Sequence, residues 1–368
     1  MKYLEEFRNS DTAETLKRRI EAAGKELLAT HPRICIMEVC GSHTMAIGRY
    51  GIRGLMPKNI DLISGPGCPV CVTDNGYIDA AISLAKKGVV ICSFGDMLRV
   101  PGSESTLLEA RAEGARVQIC YSPNEALDAA QRNPGDHFVF LGIGFETTIA
   151  PVVNIIGRAT EAKIKNISLL TAFKLIPPAL EMLASAEDLQ VDAFIGPAHV
   201  STVIGVKAYE PIVAKFRLPI VIAGFEMLDV LYAIDGILRQ LQAGEASVEN
   251  QYNRVVKYEG NKKAQEVIEK YLMTLDAEWR GIGTIPSSGL GLKPEYANFD
   301  ACSRHGIKVK PGKVNPRCKC GAVLKGVLKP EQCALFAKQC TPQHPVGACM
   351  VSSEGACAAY YRYWELRI

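Results

Sequence analysis

Cys68 and Cys71 stand at Cys-x-x-Cys spacing on a Gly65-Pro66-Gly67 turn that follows a short apolar run. Two thiols held this way can take a soft metal or alternate between dithiol and disulfide. The pair also reads as half of a closed zinc site, but no second Cys-x-x-Cys and no His-x-x-x-His accompanies it. Cys40 ends another apolar run three residues before His43 and adds a third thiol. Taken alone, a cysteine in that setting is more often buried and inert. Cys35, Cys92 and Cys120 lie inside apolar runs and read as core. Glu146, in Gly142-Ile143-Gly144-Phe145-Glu146-Thr147-Thr148, and His199, in Gly196-Pro197-Ala198-His199-Val200-Ser201, bring a carboxylate and an imidazole. Beside a thiol-bound metal they would shuttle protons or orient a ligand; otherwise they satisfy local turns. Gly142-Ile143-Gly144 is only a fragment of a dinucleotide fingerprint and does not read as a cofactor loop.

The chain has 13 cysteines, and the last seven fall between Cys302 and Cys357. In a reducing compartment that number suits metal binding or redox chemistry better than a disulfide framework. Cys318, Cys333, Cys340 and Cys357 are separated by 14, 6 and 16 residues, with Pro, Gly and Ser between them. Four thiolates in a loop-rich segment meet the needs of a [4Fe-4S] cluster, and zinc is the rival that spacing alone does not exclude. Arg304, Lys308, Lys310, Lys313, Arg317 and Lys319 lead into the segment, either as a solvated face or to offset an anionic cluster or dock a partner.

The elements that must position these residues alternate. Short β-branched runs at 33–39, 60–64, 89–93, 117–121, 137–141, 167–171, 192–195 and 219–223 are separated by helical stretches, which reads as βα units feeding parallel sheets. Ser122-Pro123-Asn124-Glu125 marks a helix start with a capping box, and that helix runs towards Asn133. The eight runs form two sets of four offset by about 103 residues, the signature of an internal repeat. The fold class that follows is α/β, with two similar parallel-sheet domains facing a cleft and a small C-terminal Cys-rich iron–sulfur domain. Residues 1–30 form a helical segment, 31–135 the first α/β domain with Cys40, Cys68 and Cys71, and 136–255 the second. Residues 256–368 form the third, helical over 262–275 and Gly, Pro and Cys rich from Gly281. Ligands of open α/β sheets bind beyond the carboxyl ends of the strands, and the unusual residues sit there, with Glu146 and His199 facing the thiols across the cleft.

Of 368 residues 48% are hydrophobic and 22% charged, which suits a globular protein of two or three domains. A net charge of +3, with no Lys/Arg stripe interleaved with aromatics, gives no reason to propose a nucleic-acid partner. Glu5 and Glu6 lie where a signal peptide would carry its apolar core, and no apolar run approaches membrane-spanning length. The expectation is a soluble, cytoplasmic protein without membrane association.

Cys40-Gly41-Ser42-His43-Thr44, Gly65-Pro66-Gly67-Cys68-Pro69-Val70-Cys71-Val72, Gly144-Phe145-Glu146-Thr147-Thr148, Gly196-Pro197-Ala198-His199-Val200-Ser201 and Met350-Val351-Ser352-Ser353-Glu354-Gly355-Ala356-Cys357 together resemble the HypD family of hydrogenase maturation proteins. The resemblance spans essentially the whole chain and departs at Ser42 and Ala198, where the family pattern has glycine. It implies maturation of nickel-iron hydrogenase on a scaffold shared with the small chaperone HypC, where iron is held between a HypC cysteine and the residue matching Cys40. Cys68 and Cys71, which follow a strand of the same domain, are expected to support that site as iron ligands or as a redox pair. It further implies that HypE delivers cyanide from a thiocyanate towards an Fe(CN)2CO unit. A [4Fe-4S] cluster on Cys318, Cys333, Cys340 and Cys357, in a setting like ferredoxin-thioredoxin reductase, and a redox pair Cys320 and Cys349 are implied as well. An assembly scaffold with redox participation is the leading reading, rather than an enzyme acting on a free metabolite. An iron–sulfur thiol-disulfide oxidoreductase is the second, and a zinc-stabilised interaction protein the third.

Overall fold

The computed structural model describes residues 9–186 and 191–363. Its strands are β1 (Ile34–Glu38), β2 (Ile60–Ser64), β3 (Val90–Ser93), β4 (Val117–Ile119), β5 (Phe138–Gly144), β6 (Ile167–Lys174), β7 (Ala193–Pro197), β8 (Ile220–Ala223), β9 (Val248–Asn250), β10 (Leu272–Trp279) and β11 (Gly283–Leu292). The eight β-branched runs are all strands. Almost every residue of β1, β5, β7 and β8 is buried, as expected of parallel strands covered on both faces. Ile34 and Ile36 point to one face with Leu16, Ile20 and Leu231, while Cys35 and Met37 point to the other with Ile176 and Leu180. Each such aliphatic side chain contributes about 1.5–3 kcal/mol on burial, so the side-chain alternation pins the register.

The strands form one sheet in the order β2-β1-β7-β8-β9, parallel throughout, and another in the order β10-β11-β6-β5-β3-β4. This corrects the expected boundary at 135/136, because each set of four strands is divided. β1 and β2 pair with β7 and β8, while β3 and β4 pair with β5 and β6. The repeat itself stands. Exchanging β1, β2, β3 and β4 with β5, β6, β7 and β8 converts β2-β1-β7-β8 into β6-β5-β3-β4, so the two sheets have one topology. Hydrophobic period identifies a strand but carries no label for its pairing partner, which is why the exchange was not visible in the sequence.

The helix expected in residues 1–30 spans Ser10–Leu27, is capped by Asn9, and buries Leu16, Ile20 and Leu27 against the first sheet beside the helix Met227–Ala243. Residues 1–8 lie outside the described residues. Ser122 caps the helix Pro123–Arg132 as expected, but Glu125 accepts the N–H of Tyr121 rather than that of Ser122, so the box is displaced by one residue.

The third domain differs more. The helix Lys262–Tyr271 stops short, and Leu272–Leu292 is a hairpin whose strand β11 joins β6 antiparallel. Tyr271, Leu272 and Leu275 continue a helical spacing, and Gly283, Gly289 and Gly291 break up β11, so the strand pattern was masked. Cys320, Val323, Leu335, Phe336, Cys349, Cys357 and Tyr360 share one core with Met37, Ile63, Cys68 and Cys71 of the first sheet. The cysteine-rich segment therefore packs into the first α/β unit instead of closing a core of its own.

Candidate thiol and metal centre

In the first sheet the strand order reverses between β1 and β7, so the residues following those two strands lie side by side at the switch point. Cys40 follows β1 and precedes the helix Gly41–Arg49; His199 follows β7 in the helix Ala198–Ile204; Cys68 follows β2, the neighbour of β1. His199 is thus on the same sheet as Cys40, not opposite it, a direct result of the exchanged repeat. The backbones of these loops touch. Gly41 N–H donates to Gly67 O at 3.1 Å, and a Cβ on Gly67 would lie 2.3 Å from Cys40 N. Gly41 is equally constrained, since its Cβ would meet Glu354 O at 2.2 Å. Glycine here is what lets three chain segments converge on one thiol.

Cys40 is buried, and burial followed by the nearby Glu354 carboxylate pushes its thiol up to about 12, against the backbone N–H groups of Ser42 and His43 that face the sulfur. Glu38, at the end of β1, is 1% exposed, and burial raises its carboxyl to about 7. It accepts Thr44 Oγ1 at 2.6 Å and Cys40 N at 3.4 Å, while its carbonyl accepts Gly65 N at 2.7 Å. One residue therefore fixes both thiol-bearing loops. Sequence reading passed over Glu38; a carboxylate closing an otherwise apolar run two residues before a cysteine was the available signal. Cys68 and Cys71 are both buried and joined by a disulfide, with Cys71 Sγ 3.9 Å from Ala348 O.

His43 is fully buried, with Nε2 3.0 Å from the carbonyls of Ala223 and Gly224, and burial lowers its pKa to about 4. Two carbonyl acceptors place the proton on Nε2, leaving Nδ1 buried without a hydrogen-bond partner. Phe225 lies between the rings of His43 and His199, at 4.8 and 4.3 Å. Glu146 starts the helix Glu146–Glu161 beyond β5 in the second sheet. Its Oε1 accepts Ile176 N at 2.9 Å, its Oε2 has no partner, and Tyr209 lies within electrostatic reach of both Glu146 and Cys40. Glu146 thus stands at the end of β5 in the other sheet, with Tyr209 within reach of both it and Cys40.

Burial pushes the Glu146 carboxyl from its ordinary 4.5 to about 7. Because the folded protein holds this proton more tightly than the unfolded chain, the stabilisation is complete below about pH 4.5 and is lost as pH rises through about 7. The Glu146 contribution to unfolding free energy should fall by about 3 kcal/mol over that window. Glu38 adds to the fall, and the buried His43 and His137, whose pKa values are lowered to about 4, oppose it. The change in urea unfolding free energy from pH 5 to pH 8 should be less negative, or more positive, in Glu146→Gln than in the parent. An identical difference between the two pH values in parent and variant would refute a buried, proton-holding Glu146.

Cys318, Cys333, Cys340 and Cys357 line one small cavity, with no carboxylate or imidazole among its lining residues. Among the described residues no three His, Cys, Asp or Glu side chains are already gathered in a metal-holding arrangement. The donor set nevertheless fits an iron–sulfur group, being sulfur only. Gly347 leaves room there, since a Cβ at that position would come within 2.7 Å of the sulfurs of both Cys318 and Cys320. Cys320 and Cys349 are buried side by side, Cys320 also beside Cys318 and Cys349 also beside Cys357. Sulfur contacts therefore run without a break from Cys318 to Cys357 through the expected redox pair. The Cys68–Cys71 disulfide abuts this chain, because Ala348 precedes Cys349.

Arg280, another residue unremarked in the sequence, is 3% exposed beside Cys320, Cys349 and Cys318. Its Nε donates to Thr73 O at 2.7 Å and its backbone N to Val72 O at 2.8 Å, while Nη2 has no partner. It ties the segment after Cys71 to the C-terminal sulfurs.

The chain matches the HypD family, described as the hydrogenase formation hypA family, over residues 11–364. It is 48% identical to the hydrogenase maturation factor HypD of Azotobacter vinelandii over 375 residues, covering 100% of this chain and 98% of that protein. It is 44% identical to the factor of the same name from Cupriavidus necator over 376 residues, covering 100% and 98%, and 44% identical to that of Escherichia coli K12 over 368 residues, covering 99% and 98%. No helix among the described residues is long and apolar enough to cross a membrane.

Proposed function

The chain belongs to the HypD family, and from that premise we propose that this hydrogenase maturation factor is the scaffold on which, together with HypC, the Fe(CN)2CO unit of nickel-iron hydrogenase is assembled. The observation that carries the reading is the convergence of two sulfur sites: the Cys68–Cys71 disulfide, on a loop whose backbone packs against that of Cys40, and, across the Ala348 contact, Cys349, Cys320 and the four-cysteine cavity. The iron is cargo. Cys40 supplies one thiolate, a HypC cysteine supplies another, and the remaining positions stay open for cyanide and carbon monoxide, a donor set that suits soft low-spin iron(II). Because the Cys40 thiol is raised to about 12, taking up the metal releases its proton. His43 Nδ1 and the unpartnered Glu146 oxygen are buried acceptors in the surrounding shell.

Cyanide delivered by HypE as a thiocyanate must be cut from sulfur. R–S–CN and two cysteine thiols become R–S⁻, CN⁻, a disulfide and two protons, so one cysteine pair supplies both electrons. Cys68 and Cys71 in the disulfide form are the product side of that step. A [4Fe-4S] cluster on Cys318, Cys333, Cys340 and Cys357 would supply single electrons next to the Cys320/Cys349 pair. The role of that pair is to exchange electrons with Cys68 and Cys71 across the Ala348 contact. Arg280 holds the two sulfur sites in register.

The test of the whole reading is the infrared spectrum of the anaerobically co-purified complex with HypC, which should carry bands of iron-bound cyanide and carbonyl. The juxtaposition of Cys71 with the Ala348 segment also favours a second reading, a thiol-disulfide oxidoreductase acting on other proteins. Turnover of a dithiol substrate without HypC, and no such infrared bands, would select it. For the relay, Cys320→Ser should keep the visible absorbance and the HypC interaction while changing the electron demand of cyanide transfer. Mild oxidation should cost the parent two thiols at this pair and the variant none. Parental transfer rate and electron stoichiometry in Cys320→Ser would remove the pair from the mechanism.

A further inference from the structure

Residues 308–319 carry Lys308, Lys310, Lys313, Arg317 and Lys319 and not one acidic residue. All five side chains are exposed, and among the described residues none of them makes an ion pair. The whole chain is only +3, so the rest of it is net negative and this positive charge is local. A merely solvated face mixes both signs; this one does not.

The backbone of the segment is fixed. Gly312 N donates to Asp74 Oδ1 at 2.7 Å, Lys313 N to Ser103 Oγ at 2.8 Å, and Lys313 O accepts Asn75 Nδ2 at 2.8 Å. Lys310 O sits where a Cβ on Gly76 would be, which seals that part of the strap onto the body. The strap thus runs along the surface in one conformation with its cations outward, so little ordering entropy remains to be spent on binding. It ends in the cysteine cavity. Cys318 is half-buried between Arg317 and Lys319, and Lys319 lines the cavity with it.

We propose that the strap is the docking surface for a small, acidic, one-electron carrier protein that reduces this chain at the four-cysteine site. The inference rests on the cluster reading given above. One electron leaves the reduced carrier and enters the cluster on Cys318, Cys333, Cys340 and Cys357. Two such transfers with two protons convert a Cys320–Cys349 disulfide to two thiols. Nucleic acid fits the strap less well, since no Phe, Tyr or Trp lies between Phe299 and Phe336 to stack on bases. An anionic membrane fits less well too, because the strap is irregular and presents no amphipathic helix.

The test uses the anaerobically purified chain, a reduced plant-type [2Fe–2S] ferredoxin as an acidic carrier, and dithionite as a reductant that needs no docking. In the parent, ferredoxin should bleach the visible absorbance rapidly at low salt and much more slowly as salt is raised. In the triple variant Lys308→Glu, Lys310→Glu, Lys313→Glu the low-salt rate should drop by about tenfold or more and lose its salt dependence. The Kd for oxidised ferredoxin should weaken in parallel, while dithionite reduces both proteins alike. Equal ferredoxin rates and equal Kd in parent and variant would overturn the proposal. So would tight binding of polyuridine RNA or anionic vesicles at the strap with no ferredoxin binding. Absence of any dithionite-sensitive absorbance would instead overturn the cluster reading, and the Kd comparison would still decide the docking surface.

Discussion

In the co-purified complex with HypC, Cys40→Ala should abolish the infrared bands of iron-bound cyanide and carbonyl while leaving the fold intact. Among the described residues Cys40 is the one free thiol at the switch point of the first sheet, and its neighbours are arranged around it rather than around Cys68 and Cys71, which hold each other. Glu38 anchors its backbone N–H, the Gly67 turn packs on it, and Ser42 and His43 N–H groups at the start of the helix Gly41–Arg49 face its sulfur. Those N–H groups favour the thiolate that metal binding demands and partly offset the cost of burying it. Removing one sulfur leaves these backbone contacts in place. The expected loss is therefore of the cargo, not of stability, and circular dichroism and HypC co-elution should match the parent. Cyanide and carbonyl bands at parental intensity in Cys40→Ala would falsify the ligand assignment.

Cys40, Cys68 and Cys71 were legible because their chemistry is local: a thiol after an apolar run is visible in one dimension. Their surroundings were not. Glu38 acts on Cys40 through burial and through Thr44, Ser64 and Gly65, and none of those contacts leaves a mark in spacing. Cutting the repeat into consecutive halves puts His199 across the cleft, whereas the exchanged strands put it on the Cys40 sheet. Strand pairing is a long-range choice, and the β1–β7 ladder joins residues more than 150 apart. The same holds for Arg280, whose partners are Thr73 O and the sulfurs near Cys320. A hairpin at 272–292 was read as helix followed by loop because its glycines, needed where Gly289 meets Ala277, also erase the alternation that marks a strand. The cysteine-rich tail looked like a separate domain for a related reason. It has few apolar runs of its own, and the structure shows that it borrows the core of the first sheet.

That borrowed core sets what should happen when one of the four proposed cluster cysteines is removed. Cys333→Ala, made and handled anaerobically, should lose visible absorbance together with its iron and sulfide. Cys318, Cys333, Cys340 and Cys357 share one cavity with apolar side chains, Lys319 and the Cys320 thiol, which is engaged with Cys318 and Cys349; no carboxylate or imidazole stands ready to replace the missing sulfur. Cys340 Sγ already accepts Val346 N at 3.4 Å, and Gly347 packs against Cys318 and Cys320, so the loops are shaped to the sulfurs and not to one another. Burying thiolates without the positive charge of a metal is unfavourable, and in the bare segment burial and neighbouring sulfurs hold the Cys318, Cys340 and Cys357 thiols in their neutral form. Metal binding is then coupled to ordering of the segment. Limited proteolysis should cut Cys333→Ala within 318–357 at least about tenfold faster than the parent, whereas the body of the two sheets resists. Cys302→Ala is the matched control, because Cys302 packs beside Ile307 against the other core and lines no part of the cavity. It should keep full colour. A Cys333→Ala protein with parental iron, sulfide and absorbance would show that the ligands are not these four, and a colourless parent holding stoichiometric zinc would show that the metal is not iron.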